Sequence, residues 1–433
     1  MKTSRLPVPL TRRSARRTPF ICAASIALST VAAQAATFTK ADNLFDLNLP
    51  TSWSIGSVPG AADIAQWDAT VTTASTVLLG ANLSWSGLRI LNPNGLVTIN
   101  AGSTLTLGTD GIDLALATQS LTLNNAVTLL TERTQNWTVG AGTTLQVDGA
   151  LTRGLHAMLN FDTTAGGTIN IATGTASAIF PIYATINRTD FAALDASKNV
   201  VPGKTSGVVT YTDNPNTGAA LPTLGTTTIV GVYDVVNSNT NAISAFRLGN
   251  TYTISSGGGV RFNTPHASGQ DWVVDINSRN YNTSGSAILV TPGVGAKNVI
   301  YNGSTGNIRL GAGAELPIHQ HNTAGDLILN AQVTQPAGAG ATLTKDGAGR
   351  LILGSSTNSY LGSTKILEGT LQLGNGGTTG AIVAGTAVVN HGTLAFNRTD
   401  GVTFNNPISG TGAVTQAGIG TLSLTGANTY TGA

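Results

Sequence analysis

The chain has 433 residues, of which only 10% are charged and 53 are glycine. Its formal net charge is +2, but residues 1–35 hold six basic and no acidic residues, so the remainder carries a net charge of −4. The part after residue 35 therefore lacks the basic patch of a nucleic-acid-binding protein. The single cysteine, Cys22, precedes residue 36. The part after residue 35 therefore has no disulfide, no thiolate nucleophile and no cysteine metal site.

The first 35 residues have the composition of a secretory signal peptide. A basic segment precedes an apolar stretch, Phe20 to Ala33, that is too short to span a bilayer. Ala33-Gln34-Ala35 matches a small-residue cleavage site, so residues 1–35 are predicted to be removed on export. Arg12-Arg13 leaves the Tat route open beside the Sec route, although Pro19 disturbs the Tat spacing. No later apolar run reaches about 20 residues, which predicts no transmembrane helix in the mature chain.

Residues 36–80 are predicted to form an N-terminal cap region. They contain Trp53, Trp67 and a Val58-Pro59-Gly60 turn. The two tryptophans either close the open end of a stack of strands or are ordinary core aromatics, and the sequence leaves both interpretations open.

Residues 81–330 are dominated by short segments in which apolar and small polar residues alternate, as in Leu96–Asn100 and Trp137–Val139. This period of two predicts strands, and the Gly, Asn and Asp residues between them predict tight turns. Longer loops are predicted within residues 176–330. Because charged residues are rare, neutral side chains must cover the surface, which favours an all-β fold of the β-solenoid type.

Residues 331–433 contain one motif twice, about 71 residues apart, which fits about three coils of 20–25 residues per unit. The motif is Gly-x-Gly-x-Leu-x-Leu followed by Asn-x-Tyr-x-Gly, and the first copy continues into Gly-Thr-Leu. The motif residues of the first copy are Gly347, Gly349, Leu351, Leu353, Asn358, Tyr360, Gly362, Gly369 and Leu371. Those of the second copy are Gly418, Gly420, Leu422, Leu424, Asn428, Tyr430 and Gly432.

The motif residues are predicted to have a structural role. Leu351, Leu353, Leu422 and Leu424 are expected to face inward, with the residues between them facing out. One coil cannot bury such an apolar edge, but coils stacked about 4.8 Å apart can, and stacking also pairs the backbone groups.

The motif resembles that of the autotransporter-associated beta-strand repeat proteins, also called passenger-associated transport repeat proteins. Lys345 matches the start of the family pattern, whereas Arg350 replaces a usual Thr and Gln416 replaces the Lys in the second copy. Residues 95–113 and 315–331 also resemble upstream parts of such proteins. The resemblance implies a right-handed parallel β-helix, exported by dedicated machinery and secreted or held at the cell surface or outer membrane of a Gram-negative-type bacterium.

The second copy stops at Ala433, before the counterpart of Gly369-Thr370-Leu371. The sequence also lacks the aromatic-flanked alternating strands of an outer-membrane barrel. We therefore expect residues 331–433 to be truncated at the C-terminus and the chain to be a fragment.

Two groups of residues suggest metal chemistry. His319 and His321 share one face of a predicted strand and could form half of a metal site, with Glu315 and Asp326 as the nearby carboxylates. A surface pair beside a turn is the favoured interpretation. Asp110 and Asp113 resemble part of a calcium loop, but the repeated spacing of oxygen ligands is absent, so turn formation is favoured.

One group suggests carbohydrate chemistry. Asp271, Asp275 and Arg279 flank Trp272, and glycosidic cleavage needs an acid and a second carboxylate or base. A salt-bridged surface is the favoured interpretation. The sequence therefore predicts no catalytic, cofactor-binding or metal-binding residues and no cofactor.

The favoured function is that of an exported or surface-displayed structural β-helix passenger, adhesive or scaffold-like and non-catalytic. Its ligand, a surface protein or polysaccharide, is unidentified. One alternative is a β-helix lyase or hydrolase that acts on polysaccharide. The other is that the repeat serves only as a folding and export module for the passenger.

Overall fold

The computed structural model describes residues 35–204 and residues 258–433, apart from 267, 278–279, 284, 304 and 339. Between these two ranges it also describes the short stretches 211–213, 228–229, 231–235, 246–247 and 252–254. Residues 1–34, and with them nearly all of the predicted signal peptide, lie outside the described residues. In the described part the only helical elements are the single 3-10 turns Pro50–Ser52 and Pro292–Val294, and none could cross a membrane. The predicted all-β class is therefore confirmed.

The first half of the chain forms a three-sided stack of parallel coils, named here the N-terminal stack. Sheet N1 contains Thr37–Thr39, Ile64–Trp67, Leu83–Ile90, Thr104–Leu114, Thr134–Val139, Met158–Asp162 and Ala184–Ile186. Sheet N2 contains Ser75–Val77, Val97–Ile99, Leu121–Leu123, Thr144–Val147 and Thr168–Ile171. Sheet N3 contains Ala126–Leu129 and Leu151–Arg153, which extend the first halves of the long strands Leu83–Ile90 and Thr104–Leu114.

Alternation along each strand builds the core of this stack. Leu121 pairs with Leu145, and Leu145 pairs with Ile169, so a coil takes about 24 residues and equal residue types stack on one another. All three side chains are buried in one apolar core that runs through the coils. The period of two therefore gave the correct inward face, and the parallel pairing confirms the predicted β-helix.

Tryptophans fill the core of the first coils. Trp53, Trp67 and Trp85 lie in three successive coils and are almost fully buried. Their rings contact one another, with centroids 5.8–5.9 Å from Trp53 to the other two. The indole N–H of Trp53 donates to the carbonyl of Leu47 at 2.9 Å, which satisfies its polar atom within the apolar surroundings.

Antiparallel pairing interrupts the parallel stack within residues 178–202. Asp190–Leu194 pairs antiparallel with Ala184–Ile186, Ala178–Ile179 and Val200–Pro202. The sequence pattern did not reveal this reversal, because antiparallel and parallel strands share the same alternation.

The second half of the chain forms the C-terminal stack, again with three sides. Sheet C1 contains Tyr211–Asp213, Val232–Val235, Gly259–Phe262, Ala287–Val290, Glu315–Gln320, Thr342–Asp346, Thr364–Ile366, Val388–Asn390 and Ile408–Ser409. Sheet C2 contains Phe246–Arg247, Trp272–Asn277, Val299–Gly303, Leu327–Leu329, Arg350–Leu353, Thr370–Gly377, Thr393–Arg398 and Ala413–Gln416. Sheet C3 contains Thr228–Ile229, Tyr252–Ile254, Asn280–Thr283, Asn307–Leu310 and Gln332–Thr334, and the pair Val402–Phe404 and Leu422–Leu424 follows on this side.

The two stacks lie side by side and run in opposite directions. Near the reversal, Phe191 packs against Val232, Ala287 and Leu289 of sheet C1. Farther along, contacts join earlier residues of the first stack to later residues of the second: Arg153 reaches Glu315, and Thr134 reaches Asp346. We name this contact surface between the two stacks the seam.

Candidate functional site

The repeat leucines of the first copy lie in the core. Leu327, Leu351 and Leu371 stack in register on successive strands of sheet C2, and Leu353 lies on the same inward face. In the second copy, Leu422 and Leu424 pack against the same core but are only half-buried, since they lie in the last coil of the structure. The motif leucines therefore supply the apolar edge that stacking buries.

The repeat glycines stand where neighbouring coils approach too closely for a side chain. A Cβ at Gly349 would lie 2.1 Å from the carbonyl oxygen of Asn322, and one at Gly362 would lie 2.3 Å from that of Ala341. In the second copy, a Cβ at Gly420 would lie 2.0 Å from the carbonyl oxygen of Asp400. These glycines allow the corners of successive coils to stack.

The repeat asparagine joins three coils. The side chain of Asn358 accepts from the backbone N–H of Val333 in the preceding coil at 2.8 Å and donates to the carbonyl of Ala381 in the following coil at 2.7 Å. Asn428 repeats the first of these bonds by accepting from the N–H of Ile408 at 3.1 Å. The asparagine thus satisfies backbone N–H groups of the strands Gln332–Thr334 and Ile408–Ser409 on the edge that faces the repeat turn.

The repeat lysine bonds to backbone carbonyls inside a corner. Lys345 is fully buried, and its Nζ donates to the carbonyl of Glu368 at 2.9 Å and to that of Gly347. Burial lowers its pKa to about 7. In the second copy the amide of Gln416 donates to the carbonyls of Gly418 and Gly420 at 3.1 and 2.8 Å, so glutamine performs the same bonding without a charge.

The seam holds ion pairs that the sequence does not reveal. Glu132 pairs with Lys365, and Arg153 pairs with Glu315 at 2.9 Å. At the end near the reversal, Arg261 binds both Asp190 of the first stack and Asp234 of its own stack. The pairs that join the two stacks link residues over 70 positions apart, and no pattern along the chain connects them, so they could be found only in the folded structure.

His319 and His321 lie in the seam, and the interpretation as a surface pair is wrong. Their side chains are 0% and 5% exposed, because the first stack covers this face of sheet C1. The carboxylate beside them is Asp346 of the adjacent strand, in register with His319. Neither Glu315 nor Asp326 fills this place: Glu315 binds Arg153 and His156, and Asp326 binds Arg350.

The hydrogen bonds of His319 and Asp346 hold both side chains in fixed positions. His319 Nε2 lies 2.9 Å from the carbonyl oxygen of Ile182, and its Nδ1 lies 3.0 Å from a carboxylate oxygen of Asp346. The other oxygen of Asp346 accepts from the Thr134 hydroxyl at 2.5 Å. Burial alone would raise the pKa of Asp346, but the contact with His319 outweighs it and holds that pKa well below its usual range.

His321 differs from its neighbour because it has no partner. Neither ring nitrogen has a hydrogen-bond partner among the described residues, although both are buried. Burial lowers the pKa of His321 to about 3. The Asp346 carboxylate opposes this shift, whereas His319, Arg188 and Lys345 add to it. The ring is therefore neutral and carries one free lone pair.

Glu315 makes the seam sensitive to acid. Burial would raise its pKa, but the bonds from His156 and Arg153 outweigh burial and lower the pKa from 4.5 to about 2. A depressed pKa stabilises the fold above pH 4.5, and this contribution disappears as the pH falls towards 2. We expect wild-type protein to lose about 2 kcal/mol more unfolding free energy than Glu315→Gln between pH 5 and 2.5. Urea unfolding at both pH values measures this difference, and equal losses in the two proteins would contradict it.

The remaining sequence candidates have structural partners. Asp110 accepts from the Ser86 hydroxyl, and Asp113 binds Arg89 at 3.0 Å. Asp271 accepts from the backbone N–H of Asn298 at 2.9 Å. Arg279 lies outside the described residues.

Trp272 cannot present its ring to a sugar as the carbohydrate interpretation requires. The ring is 1% exposed and lies in the apolar core of the C-terminal stack. Its N–H donates to the carbonyl of Thr264 at 2.9 Å.

Residues 343–373 and 414–433 match the Passenger-associated-transport-repeat family. The chain carries this transport repeat twice. The two matches contain all the motif glycines, leucines, asparagines and tyrosines described above. In the structure the transport repeats lie in the last coils of the C-terminal stack.

Two characterised proteins are similar to the chain. Outer membrane protein A of Rickettsia rickettsii is 28% identical over 79% of the chain and 16% of its own length. The adhesin BmaC autotransporter of Brucella suis is 32% identical over 30% of the chain and 4% of its own length. The chain therefore spans less than a fifth of the length of either relative. No solved structure matches the chain.

Proposed function

We propose that the chain is a surface-displayed β-helical passenger region that acts as an adhesive scaffold at the outside of a Gram-negative bacterium. The observation that carries this proposal is the regular stack of parallel coils ending in transport repeats. The names of the two similar proteins, an outer membrane protein and an autotransporter adhesin, support display and adhesion. Residues 1–35 would direct export as a signal peptide.

Sheet N2 supplies a surface suited to adhesion. On its outward face, parallel register aligns Thr76, Thr98, Thr122, Gln146 and Asn170 in one ladder. The ladder carries no charge and repeats its hydrogen-bonding groups about every 4.8 Å. Gln146 and Asn170 already bond to each other at 3.0 Å, which orders the side chains along the ladder. An extended ligand, protein or glycan, could contact several rungs at once.

A charge in the middle of this ladder should weaken adhesion without unfolding the protein. We expect Thr122→Arg to lower binding of the full chain at least 10-fold, because the long cation would disrupt contacts with a ligand along several rungs. Binding is measured on a panel of immobilised extracellular-matrix proteins and neutral glycans. Thr415→Arg, on the exposed face of sheet C2, is the matched control and should bind as wild type.

Three outcomes would count against the proposal. Wild-type protein that binds nothing on the panel would contradict the adhesive role, and equal loss in both variants would contradict the choice of sheet N2. Release of reducing ends or unsaturated products from any glycan on the panel would contradict a non-catalytic passenger.

A further inference from the structure

We propose that His319, His321 and Asp346 form a buried site for a divalent transition metal of the zinc class, which clamps the two stacks together. Among the described residues these three form the one group of His, Cys, Asp and Glu that brings three ligand atoms within 4.8 Å of one another. Two imidazole nitrogens and one carboxylate oxygen are a donor set typical of zinc, and a water would complete the tetrahedron.

The fold determines how these three side chains meet. His319 and His321 project from the same face of one strand end, and Asp346 occupies the rung beside His319 on the adjacent strand. Parallel strands lie about 4.8 Å apart, so alternate residues on one strand and one residue on the next form a compact triangle.

The bonds around His319 prepare its Nδ1 for a metal. Its Nε2 faces the carbonyl oxygen of Ile182, an acceptor, and must therefore carry a proton to form that bond. Nδ1, which hydrogen-bonds the Asp346 carboxylate, is then the nitrogen that would release its proton when a metal binds. A ligand histidine whose second N–H donates to a carbonyl is the common outer-shell arrangement at metal sites. Thr134 holds Asp346 in the same way by donating to its other oxygen.

His321 supplies the independent observation that points to a ligand. Its ring is 5% exposed, and neither nitrogen has a hydrogen-bond partner among the described residues. Buried polar atoms are nearly always paired, so an imidazole with two unpaired nitrogens beside a carboxylate needs an explanation. Coordination to a metal uses its lone pair and gives that explanation.

The spacing requires a small adjustment. Zinc–nitrogen bonds of about 2.0–2.1 Å place tetrahedral ligand atoms about 3.3 Å apart. The facing atoms of His319 and Asp346 are 3.0 Å apart, which is close to this spacing. Rotation of the His321 ring would bring its nitrogen to the same distance from these two atoms. A Cβ at Gly347 would lie 2.6 Å from Nδ1 of His321, so this repeat glycine keeps space for the ring.

The position of the site indicates a structural role. All three ligands belong to the C-terminal stack, while Ile182 and Thr134, which hold His319 and Asp346, belong to the first stack. Asp346 and His319 are at most 1% exposed, so a substrate could not reach a bound metal. Metal binding would therefore stabilise the packing of the two stacks, since it favours the arrangement in which outer-shell groups and ligands meet.

The test uses the full chain after chelation and removal of the chelator. We expect calorimetric titration with Zn²⁺ to show one site per chain and the unfolding temperature to rise by about 3 °C at 100-fold excess over Kd. His321→Ala should weaken binding at least 10-fold. His391→Ala, which removes another imidazole near the seam, is the matched control and should bind zinc as wild type.

Further measurements keep the outcome decisive. Circular dichroism in chelator shows whether His321→Ala retains the fold, and Co²⁺ bound to wild-type protein should give the visible spectrum of a tetrahedral site with nitrogen and oxygen ligands. The proposal would be overturned by the absence of zinc binding to folded wild-type protein, by unchanged binding in His321→Ala, or by an octahedral cobalt spectrum. In the first case His319 and Asp346 would form a buried ion pair and nothing more.

Discussion

Gly349→Ala is expected to lower the free energy of unfolding by about 2–3 kcal/mol, because it overpacks a contact between two backbones. The added Cβ would lie 2.1 Å from the carbonyl oxygen of Asn322 and 2.8 Å from Cγ of Gln320. A side chain could move away, but the carbonyl belongs to the corner of the preceding coil and is held by the stack. The clash could therefore be relieved only if two coils separated locally, which would break hydrogen bonds between their strands.

The control for this prediction is Gly401→Ala. Gly401 has no atom within 4 Å of the position that a Cβ would take, and its φ is not in the left-handed region. We expect this variant to be as stable as wild type or slightly more stable, because alanine restricts the unfolded chain. Urea unfolding of both variants by circular dichroism measures the difference. Equal stability of the two variants would show that the coils at Gly349 are not as closely stacked as the structure has them.

The structure of the repeat could be predicted well from the sequence, because the contacts that determine it lie between neighbouring coils. The alternation at Leu351 and Leu353 identified the inward face, and the recurrence of the motif gave the coil spacing. Gln416 looked like a departure from the pattern, yet its amide bonds the same kind of carbonyl that Lys345 does. A sequence motif specifies the residue type at this position. The fold requires only a side chain that is long enough and can donate a hydrogen bond.

The seam could not be predicted, because alternation says which residues face outward but not what covers them. The period of two places His319 and His321 on the same face of the strand but predicts that this face is exposed. Their burial comes from the reversal at Asp190–Leu194, which directs the second stack back along the first. Antiparallel return of this kind has no signal in a chain whose strands all share one period. The sequence holds one signal of the seam. Some outward positions carry His, Asp, Arg or Lys, although the chain has few charged residues.

Charge is concentrated in the seam although the chain is poor in charged residues. Arg261 is 4% exposed and is held between carboxylates of both stacks, whereas the ladder of sheet N2 carries no charge. Buried ion pairs give little net stability, but a wrong register between the stacks would leave them unpaired. We therefore infer that the seam charges select the register in which the stacks pack, while the neutral outer ladders remain free for contact with other surfaces.

Arg261→Ala is accordingly expected to have the largest effect, a loss of about 3 kcal/mol in unfolding free energy, because it removes the arginine that bridges two buried carboxylates. Lys204 still pairs with Asp234 in this variant, which limits the loss. Arg261 contacts Asp234 through two bonds of 2.8 Å and Asp190 at 3.0 Å, and both carboxylates are at most 2% exposed. The matched control is Arg350→Ala. That arginine makes the same two-bonded contact with Asp326, at 2.8 and 2.7 Å, but its side chain is 48% exposed.

An exposed pair of this geometry contributes at most about 1 kcal/mol, so the two variants should differ by several-fold in their loss. Urea unfolding followed by tryptophan fluorescence is the suitable measurement, since Trp53, Trp67 and Trp85 report on the first stack and Trp272 on the second. Loss of the pairing should make the second stack unfold at lower urea concentration than the first, because Arg261 belongs to the second and its partner Asp190 to the reversal. If Arg261→Ala and Arg350→Ala lose equal stability, the carboxylates at the seam are solvated in solution and the two stacks do not pack as closely as the structure has them.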